Sequence, residues 1–458
     1  MNREVLPQYL TAIRDACRTA SKCIPDASEL RRMEQVCVVL NRMIANATTV
    51  PALQARVEQA YRAQLKDLGA ADFATQRAAV QDWVRTVALT DANVDRTAAI
   101  VDIESEYFRS YDAAVRQVNA AERAALSTGS TSAETALPDS AALGQYLTEV
   151  LKKPIEVVKF DTVALGFSKA TYLLSTRSDQ RPAEDLIIRM DRPFNYLGTT
   201  VVDEFPVLQV LHRHGICVPR PYALESSGAV LGQPFIVVAR VDGRNLGSHF
   251  TFAQADPRMC EKFAQHLARI HAVPLTEFSP NLRGRNLSAA AQLRAAIDKY
   301  YADWSQLDAV SPIIEAAFQW LKQHVDDVEA ERCFVHGDFS LSNVLIDEHG
   351  EFAAILDWEF AAAGHPASDL GWFHFMAKAL GSWDHFLRAY AAAGGVLPDR
   401  KQLDFYVLWG ALRLAIMNYQ LDSAFESARS SDIKHAFAAA AFMPNITVRV
   451  ADVLRALL

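Results

Sequence analysis

The chain has 458 residues, half of them hydrophobic and 22% charged, which excludes extended disorder and indicates several compact units. A formal net charge of −8 excludes a general nucleic-acid binder, which needs a basic face to neutralise phosphates. Gly (19) and Pro (18) make up about 8% of the chain against roughly 12% in average usage, which favours helices over a turn-rich all-β fold.

Residues 1–126 contain one glycine, Gly69, and balance 16 basic against 16 acidic residues. Apolar residues recur there at steps of three and four. The stripes run through Val5, Tyr9, Ile13 and Cys17, then Met33, Val36, Leu40, Met43 and Ala47, then Val57, Tyr61, Leu65 and Leu68. Val80, Trp83 and Val87 follow, and the last stripe is Ile100, Glu104, Tyr107, Tyr111, Val115 and Val118. This spacing predicts about five amphipathic helices packed as a bundle, punctuated at Pro25, Pro51, Gly69 and Thr90-Asp91. Residues 127–140 are small and polar and read as a linker. A short helix carrying Leu143, Leu147 and Leu151 comes next.

After Pro154 the pattern changes. Ile155–Leu165, Ala170–Thr176 and Asp185–Met190 are apolar or β-branched runs that predict three antiparallel strands. A helix with Val201, Phe205, Leu208 and Leu211 follows, then strands near Ala223 and at Pro234–Val241. Helical stripes dominate from Gly243 onward, interrupted by one hairpin at 344–356. The predicted fold class is α+β. A helical bundle (1–126) and linker (127–140) precede a small antiparallel β lobe (141–243) and a helical lobe (244–458).

The cysteines at 17, 23, 37, 217, 260 and 333 form no C-x-x-C, and the first 200 residues contain no His, so a zinc site is not expected. Scattered thiols of this kind fit a reducing cytoplasm. No apolar h-region follows Met1-Asn2-Arg3-Glu4 and no run of 18 apolar residues occurs, so neither a signal peptide nor a membrane span is expected.

The segment with the most chemistry is Phe334-Val335-His336-Gly337-Asp338-Phe339-Ser340-Leu341-Ser342-Asn343, followed by Val344–Ile346, Gly350, Phe352–Leu356 and Asp357-Trp358-Glu359. Gly350 lies at the turn of a hairpin, and Asn343 and Asp357 each lie seven residues from it. An antiparallel hairpin returns to its start, so these two side chains should converge at the open end. An amide oxygen beside a carboxylate suits Mg²⁺. Asp338, five residues before Asn343, is then placed to accept a proton from an attacking hydroxyl. Base, Asn and second Asp in this order fit phosphoryl transfer.

His336-Gly337-Asp338, Asn343, Asp357 and the downstream Gly364-His365-Pro366-Ala367-Ser368-Asp369-Leu370 resemble the signature of the aminoglycoside phosphotransferase (choline kinase-like) superfamily. The resemblance covers about residues 140–458. It implies a two-lobed protein kinase-like fold, with ATP as phosphoryl donor and Mg²⁺ held by Asn343 and Asp357. Asp338 is then the catalytic base, and His336 and Asp369 brace its loop. Gly166 and Ser168, in Leu165-Gly166-Phe167-Ser168-Lys169-Ala170, fall where a nucleotide-covering turn belongs. Arg189 stands where kinases carry a phosphate-binding Lys, and it keeps the charge and adds bidentate geometry. Glu204 on the following helix is its natural partner. The Ala239 carbonyl and the Val241 amide fall where the family's hinge bonds adenine. Tyr406, Trp409, Arg413 and Tyr419 fall on a late helix of the kind that lines acceptor pockets.

Only 11 residues separate Asp357 from Asp369 and no A-P-E follows, which argues against a protein kinase. The segments Ile188–Phe205, Val218–Pro221 and Val241–Arg244 resemble the branch found fused to or beside acyl-CoA dehydrogenases, whose members phosphorylate hydroxylated acyl metabolites. That branch implies a metabolic hydroxyl acceptor, with an aminoglycoside phosphotransferase and a catalytically weak scaffold as alternatives. The N-terminal bundle lies outside the usual family core, and two roles are open to it: covering the acceptor or mediating homodimerisation.

Overall fold

The structure, a computed structural model, describes residues 6–21, 24, 27–65, 72–87, 89–120, 140–165, 169–178, 181–192, 199–247, 256–328, 331–427, 429 and 433–458. In chain order the first elements are α1 (Leu6–Ser21), α2 (Ala27–Thr48), α3 (Val50–Gln64), α4 (Phe73–Thr86), α5 (Asp91–Ala120) and α6 (Ser140–Leu151). Then come β1 (Glu156–Leu165), β2 (Lys169–Ser178), β3 (Arg181–Asp191), α7 (Val201–Arg213), β4 (Pro221–Glu225) and β5 (Phe235–Ala239). These lead to α8 (Pro257–His271), α9 (Ala289–Ser305), α10 (Pro312–His324), β6 (Cys333–Val335), β7 (Val344–Ile346), β8 (Phe352–Ile355) and β9 (Ala362–Gly364). The chain closes with α11 (Ala367–Leu380), α12 (Trp383–Ala392), α13 (Arg400–Glu426) and α14 (Ile433–Leu457).

Two units result. One joins Met1–Thr131 with Ala290–Val328 and Arg400–Leu458; the other joins Ser132–Ala289 with Glu329–Asp399. In the first, helices begin where the sequence supplies starts. Pro51 lies in the first turn of α3, where its missing N–H costs nothing, and Asp72 caps α4 by accepting from Thr75 N at 2.9 Å. The five helices expected in 1–126 are present, but they do not close on themselves. Helix α5 packs on α14 and α4 on α10. Asn445 donates to Asp112 at 3.1 Å, and the Ser311 amide donates to Gln81 Oε1 at 2.6 Å. The expected limits, a bundle ending at 126 and a helical lobe over 244–458, therefore differ from the observed grouping. An amphipathic stripe says that a face is buried, not which helix buries it.

Glu104, in line with the last apolar stripe, explains itself here. It is fully buried and takes a forked ion pair from Arg77, with Nε donating to Oε1 at 2.9 Å and Nη2 to Oε2 at 2.5 Å. Tyr61 OH donates to the same carboxylate. Burial opposes the Arg77 charge, and Glu104 more than offsets it, holding the guanidinium above its ordinary range. Glu104→Gln leaves that guanidinium buried without a counter-charge, so chemical denaturation is expected to register a loss of about 3–5 kcal/mol.

The second unit is built on a five-stranded antiparallel sheet in the order β1-β2-β3-β5-β4. Leu143 and Leu147 of α6 pack on one face with Leu174, Leu186, Ile188, Phe235 and Val237. The five strands fall on the five apolar runs read from the sequence. A second pair, β6 with β9, was not predicted; three-residue strands are too short to show a period. Thr200 caps α7 by accepting from Asp203 N, and β7 pairs with β8 as a hairpin.

His266 of α8 stacks on Phe352 at 4.1 Å between centroids. Burial, helped by the Arg269 charge, pushes His266 down to about 4, and burial with Lys378 pushes His374 down to about 3. Both values lie below the ordinary one near 6.5, so as pH falls the unfolded chain takes up these protons first. Their contribution is complete above about pH 6.5 and is lost as pH falls toward the folded values. Urea midpoints are expected to drop between about pH 7 and pH 5, and His266→Phe combined with His374→Phe to flatten that drop.

The described cysteines Cys17, Cys37, Cys217, Cys260 and Cys333 are free thiols. Among the described residues no single helix is long and apolar enough to cross a membrane. Arg32–Thr48 and Val50–Gln64 reach that composition only as a pair bent by 56°.

Candidate active site

The β7–β8 hairpin turns at Gly350, whose φ of 79° favours glycine, with Gly350 N donating to Asp347 O at 3.2 Å. At the open end Val344 pairs with Ile355, and Leu356 N donates to Asn343 O at 2.7 Å. Asn343 and Asp357 thus stand at the two feet of one hairpin. Asp357 has a φ of 66°, in the left-handed region that Asp and Asn tolerate better than most residues.

Asp338 is fixed from two sides. Trp372 Nε1 donates to its Oδ1 at 2.8 Å and Asn343 Nδ2 to its Oδ2 at 2.9 Å. The same Asn343 nitrogen reaches Asp338 O at 3.0 Å. The amide nitrogen is therefore committed to the aspartate, which leaves the amide oxygen as the acceptor available to a cation.

The loop beneath is held by Asp369, which is fully buried. Its carboxylate accepts from His336 N and Gly337 N, each at 2.7 Å, and from His271 Nε2 at 3.1 Å. Burial opposes the Asp369 charge, but the His271 hydrogen bond and its neighbours outweigh it and hold the carboxyl below its ordinary range. His336 accepts from Asp338 N on Nδ1 at 3.2 Å, which leaves Nε2 to donate to Leu356 O at 3.1 Å. This ring thus joins the His336–Asn343 loop to the hairpin. Gly337 is obligatory: its φ is 82°, and an added Cβ would meet Phe360 O at 2.4 Å.

On the sheet side, Arg189 Nη2 donates to Asp357 Oδ1 at 2.8 Å and to Glu204 Oε2 at 3.4 Å. Burial works against the arginine's charge, and Glu204 and Asp357 overcome it, raising it above the ordinary value. Glu204 is buried, which raises its carboxyl; Arg189 lowers it, and Asp357 and Glu359 raise it further. Ala239 ends β5 opposite Leu186, and Val241 lies two residues on. Just beyond, Arg244 and Ile346 exchange backbone hydrogen bonds, tying the segment after β5 to the hairpin. Gly166 and Ser168 lie outside the described residues. Tyr406, Trp409, Arg413 and Tyr419 lie on α13 in the helical unit. There Tyr419 lines a cavity of about 610 Å³ with Arg42, Tyr107, Tyr111 and Asp422.

This donor set fits a divalent cation carrying phosphates. Carboxylates outnumber cations among Asp338, Asp357, Glu204, Glu359, Lys169 and Arg189, so a dication lowers their mutual repulsion. Arg189 Nε is a buried donor with no partner among the described residues, as expected of a group facing a phosphate oxygen. Among the described residues no three His, Cys, Asp or Glu side chains form a metal cage. A shell of one amide and one carboxylate completed by water and phosphate oxygens is the ordinary arrangement for Mg²⁺.

Three participants escaped the sequence. Trp372, on the largely buried α11, spends its indole N–H on Asp338. His271 of α8 links Asp369 to Tyr390 OH, which lies 2.7 Å from its Nδ1. Lys169 is buried between Asp191 and Glu359. None has a local signal, because each partner lies at least 22 residues away in the chain.

Residues 159–406 match the family model described as the phosphotransferase enzyme family (APH), more than half of the chain. Acyl-CoA dehydrogenase family member 11 of Rattus norvegicus is 24% identical over 275 residues, 55% of this chain and 34% of that protein. Ethanolamine kinase 2 of Rattus norvegicus is 21% identical over 209 residues, 43% of this chain and 49% of that protein. The chain thus spans about a third of the first relative and half of the second. A solved structure from Ralstonia eutropha JMP134, described as a candidate aminoglycoside phosphotransferase, has a TM-score of 0.53 at 19% identity. That match covers 69% of this chain and 98% of that one, and at this identity the likeness concerns the fold alone.

Proposed function

The chain belongs to the phosphotransferase enzyme family, and from that premise we propose that it moves the γ-phosphoryl group of ATP to a hydroxyl of a metabolic hydroxy-acid or hydroxyacyl compound. The observation that supports the reading is that Asn343, hydrogen-bonded to Asp338, and Asp357 stand at the two feet of one hairpin. Asp338, oriented by Trp372 and Asn343, aligns the acceptor hydroxyl and takes its proton. The hydroxyl oxygen forms the new bond to phosphorus while the bond to the β,γ-bridging oxygen breaks. Asn343 and Asp357 hold Mg²⁺, which when bound neutralises charge on the phosphates. Arg189, kept charged by Glu204, steadies the non-transferred phosphates, and Gly166 and Ser168 cover them. The adenine lies against the Ala239 carbonyl and the Val241 amide. Kinases of this family act on small molecules, which fits a chain lacking room for a peptide-docking segment.

The hydroxyacyl class is favoured by the likeness to a relative named for acyl-CoA dehydrogenases. A panel of hydroxy-acids, hydroxyacyl-CoAs, amino alcohols and aminoglycosides with Mg-ATP, followed by ADP release and by ³¹P NMR of the product, tests the reading. Transfer to a hydroxy-acid or hydroxyacyl member is the expected result. Transfer confined to ethanolamine-like alcohols or aminoglycosides would contradict the acceptor class, and ADP release from none would contradict the activity.

A further inference from the structure

Lys169 is the first residue of β2, and its side chain is only 4% exposed. Its Nζ donates to Thr199 O at 2.8 Å and lies 3.2 Å from Asp191 Oδ1 and 3.3 Å from Glu359 Oε2. A buried ammonium has given up its water, and here two carboxylates stand in for it.

Each partner sits beside a member of the nucleotide cluster. Asp191 follows Arg189 by two residues on β3, on the same face of the strand, and is directly opposed to Lys169 across β2 and β3. Glu359 follows Asp357 by two residues. Thr199 leads into α7, whose first amide donates to Asp191 at 3.1 Å and whose first turn carries Glu204. Thr199 Oγ1 also donates to Glu359 Oε2 at 2.8 Å. One ammonium therefore ties together the segments that carry Arg189, Glu204 and Asp357.

We propose that Lys169 is a positioning residue for the metal–nucleotide centre: its paired charge fixes the Asp357–Glu359 segment against β3, and so sets the carboxylate that takes the divalent cation. The inference rests on the phosphotransferase reading. Without the ammonium, Asp191 and Glu359 are two buried carboxylates with no cation between them. Their repulsion displaces the Glu359 segment, and Asp357 with it. The proposed reading puts the adenine at Ala239 and Val241, neither of them a partner of Lys169, so the damage falls on the metal-dependent part of nucleotide binding.

The test is ADP binding by calorimetry on the full chain, with EDTA and across a Mg²⁺ series, for the parent, Lys169→Met, Lys169→Arg and Glu359→Gln, each with its melting temperature. In Lys169→Met the Mg²⁺ concentration for half-maximal binding is expected to rise about 10-fold or more. Metal-free ADP affinity is expected to stay within about twofold. Glu359→Gln, which keeps the lysine and loses one partner, is expected to shift the Mg²⁺ midpoint the same way, and serves alone if Lys169→Met does not fold. Lys169→Arg, which restores the charge, is expected to recover most of the shift.

A Mg²⁺ midpoint equal to the parent's in folded variants would overturn the proposal. So would equal weakening of metal-free and metal-dependent binding, which marks a direct nucleotide ligand or a purely structural residue. A parent that binds no ADP with Mg²⁺ would overturn the underlying reading and the inference with it, whereas a binding parent matched by its variants overturns the inference alone.

Discussion

Asp338→Asn is expected to lower turnover by about 10²–10⁴-fold, the usual contribution of a positioned general base. ADP affinity in the presence of Mg²⁺ is expected to stay close to the parent's. The substitution preserves shape but not acceptor capacity. The carboxylate receives Trp372 Nε1 on one oxygen and Asn343 Nδ2 on the other. An amide has one acceptor oxygen, so one of those donors loses its partner, at a cost of about 1–3 kcal/mol if it stays dry. That cost falls on the loop and not on the adenine or the Arg189 side of the site. Steady-state ADP release with the best acceptor gives turnover, and calorimetry gives ADP affinity. A variant as fast as the parent would remove Asp338 from the role of base.

Asp357→Asn has the second large effect. Asparagine tolerates the left-handed backbone that Asp357 adopts, so the hairpin foot keeps its shape while the charge is lost. The loss is felt twice: the cation loses its anionic ligand, and Arg189 loses the charge of its 2.8 Å partner and leans more on Glu204. Turnover is expected to fall by about 10²–10³-fold, as when one preorganised electrostatic group is removed from a reacting centre. Mn²⁺ affinity by electron paramagnetic resonance, with ADP present, is expected to weaken in parallel. Unchanged Mn²⁺ affinity with lost activity would show that Asp357 serves only to hold the arginine.

Much of this site was legible in the sequence because its geometry is local. Asn343 and Asp357 lie symmetrically about Gly350, and a hairpin has one way to bring such positions together. The five strands announced themselves by alternating or continuous apolar runs, and the helices by steps of three and four. Glu204 could be named as the partner of Arg189, but not as a buried residue, because a lone glutamate on an amphipathic helix is ordinarily solvated. Trp372 could not be read as a brace for Asp338, since an aromatic residue on an apolar helix face is most simply core. Lys169 sat in plain view at the start of β2, yet one of its partners is Glu359, 190 residues away. The pairing of α2, α4 and α5 with α10 and α14 was hidden for the same reason: amphipathicity fixes a buried face and leaves its partner open.

Anomalous scattering from Mn²⁺ in crystals of the full chain grown with ADP tests the central geometry most directly. The account predicts a cation within about 2.0–2.6 Å of the Asn343 amide oxygen and an Asp357 carboxylate oxygen, the usual range for hard cations on oxygen. Asp338 should stand outside that shell and face the space beyond the ADP β-phosphate that a γ-phosphoryl group takes. A cation bound elsewhere, or Asn343 and Asp357 turned away from a shared ion, would contradict it.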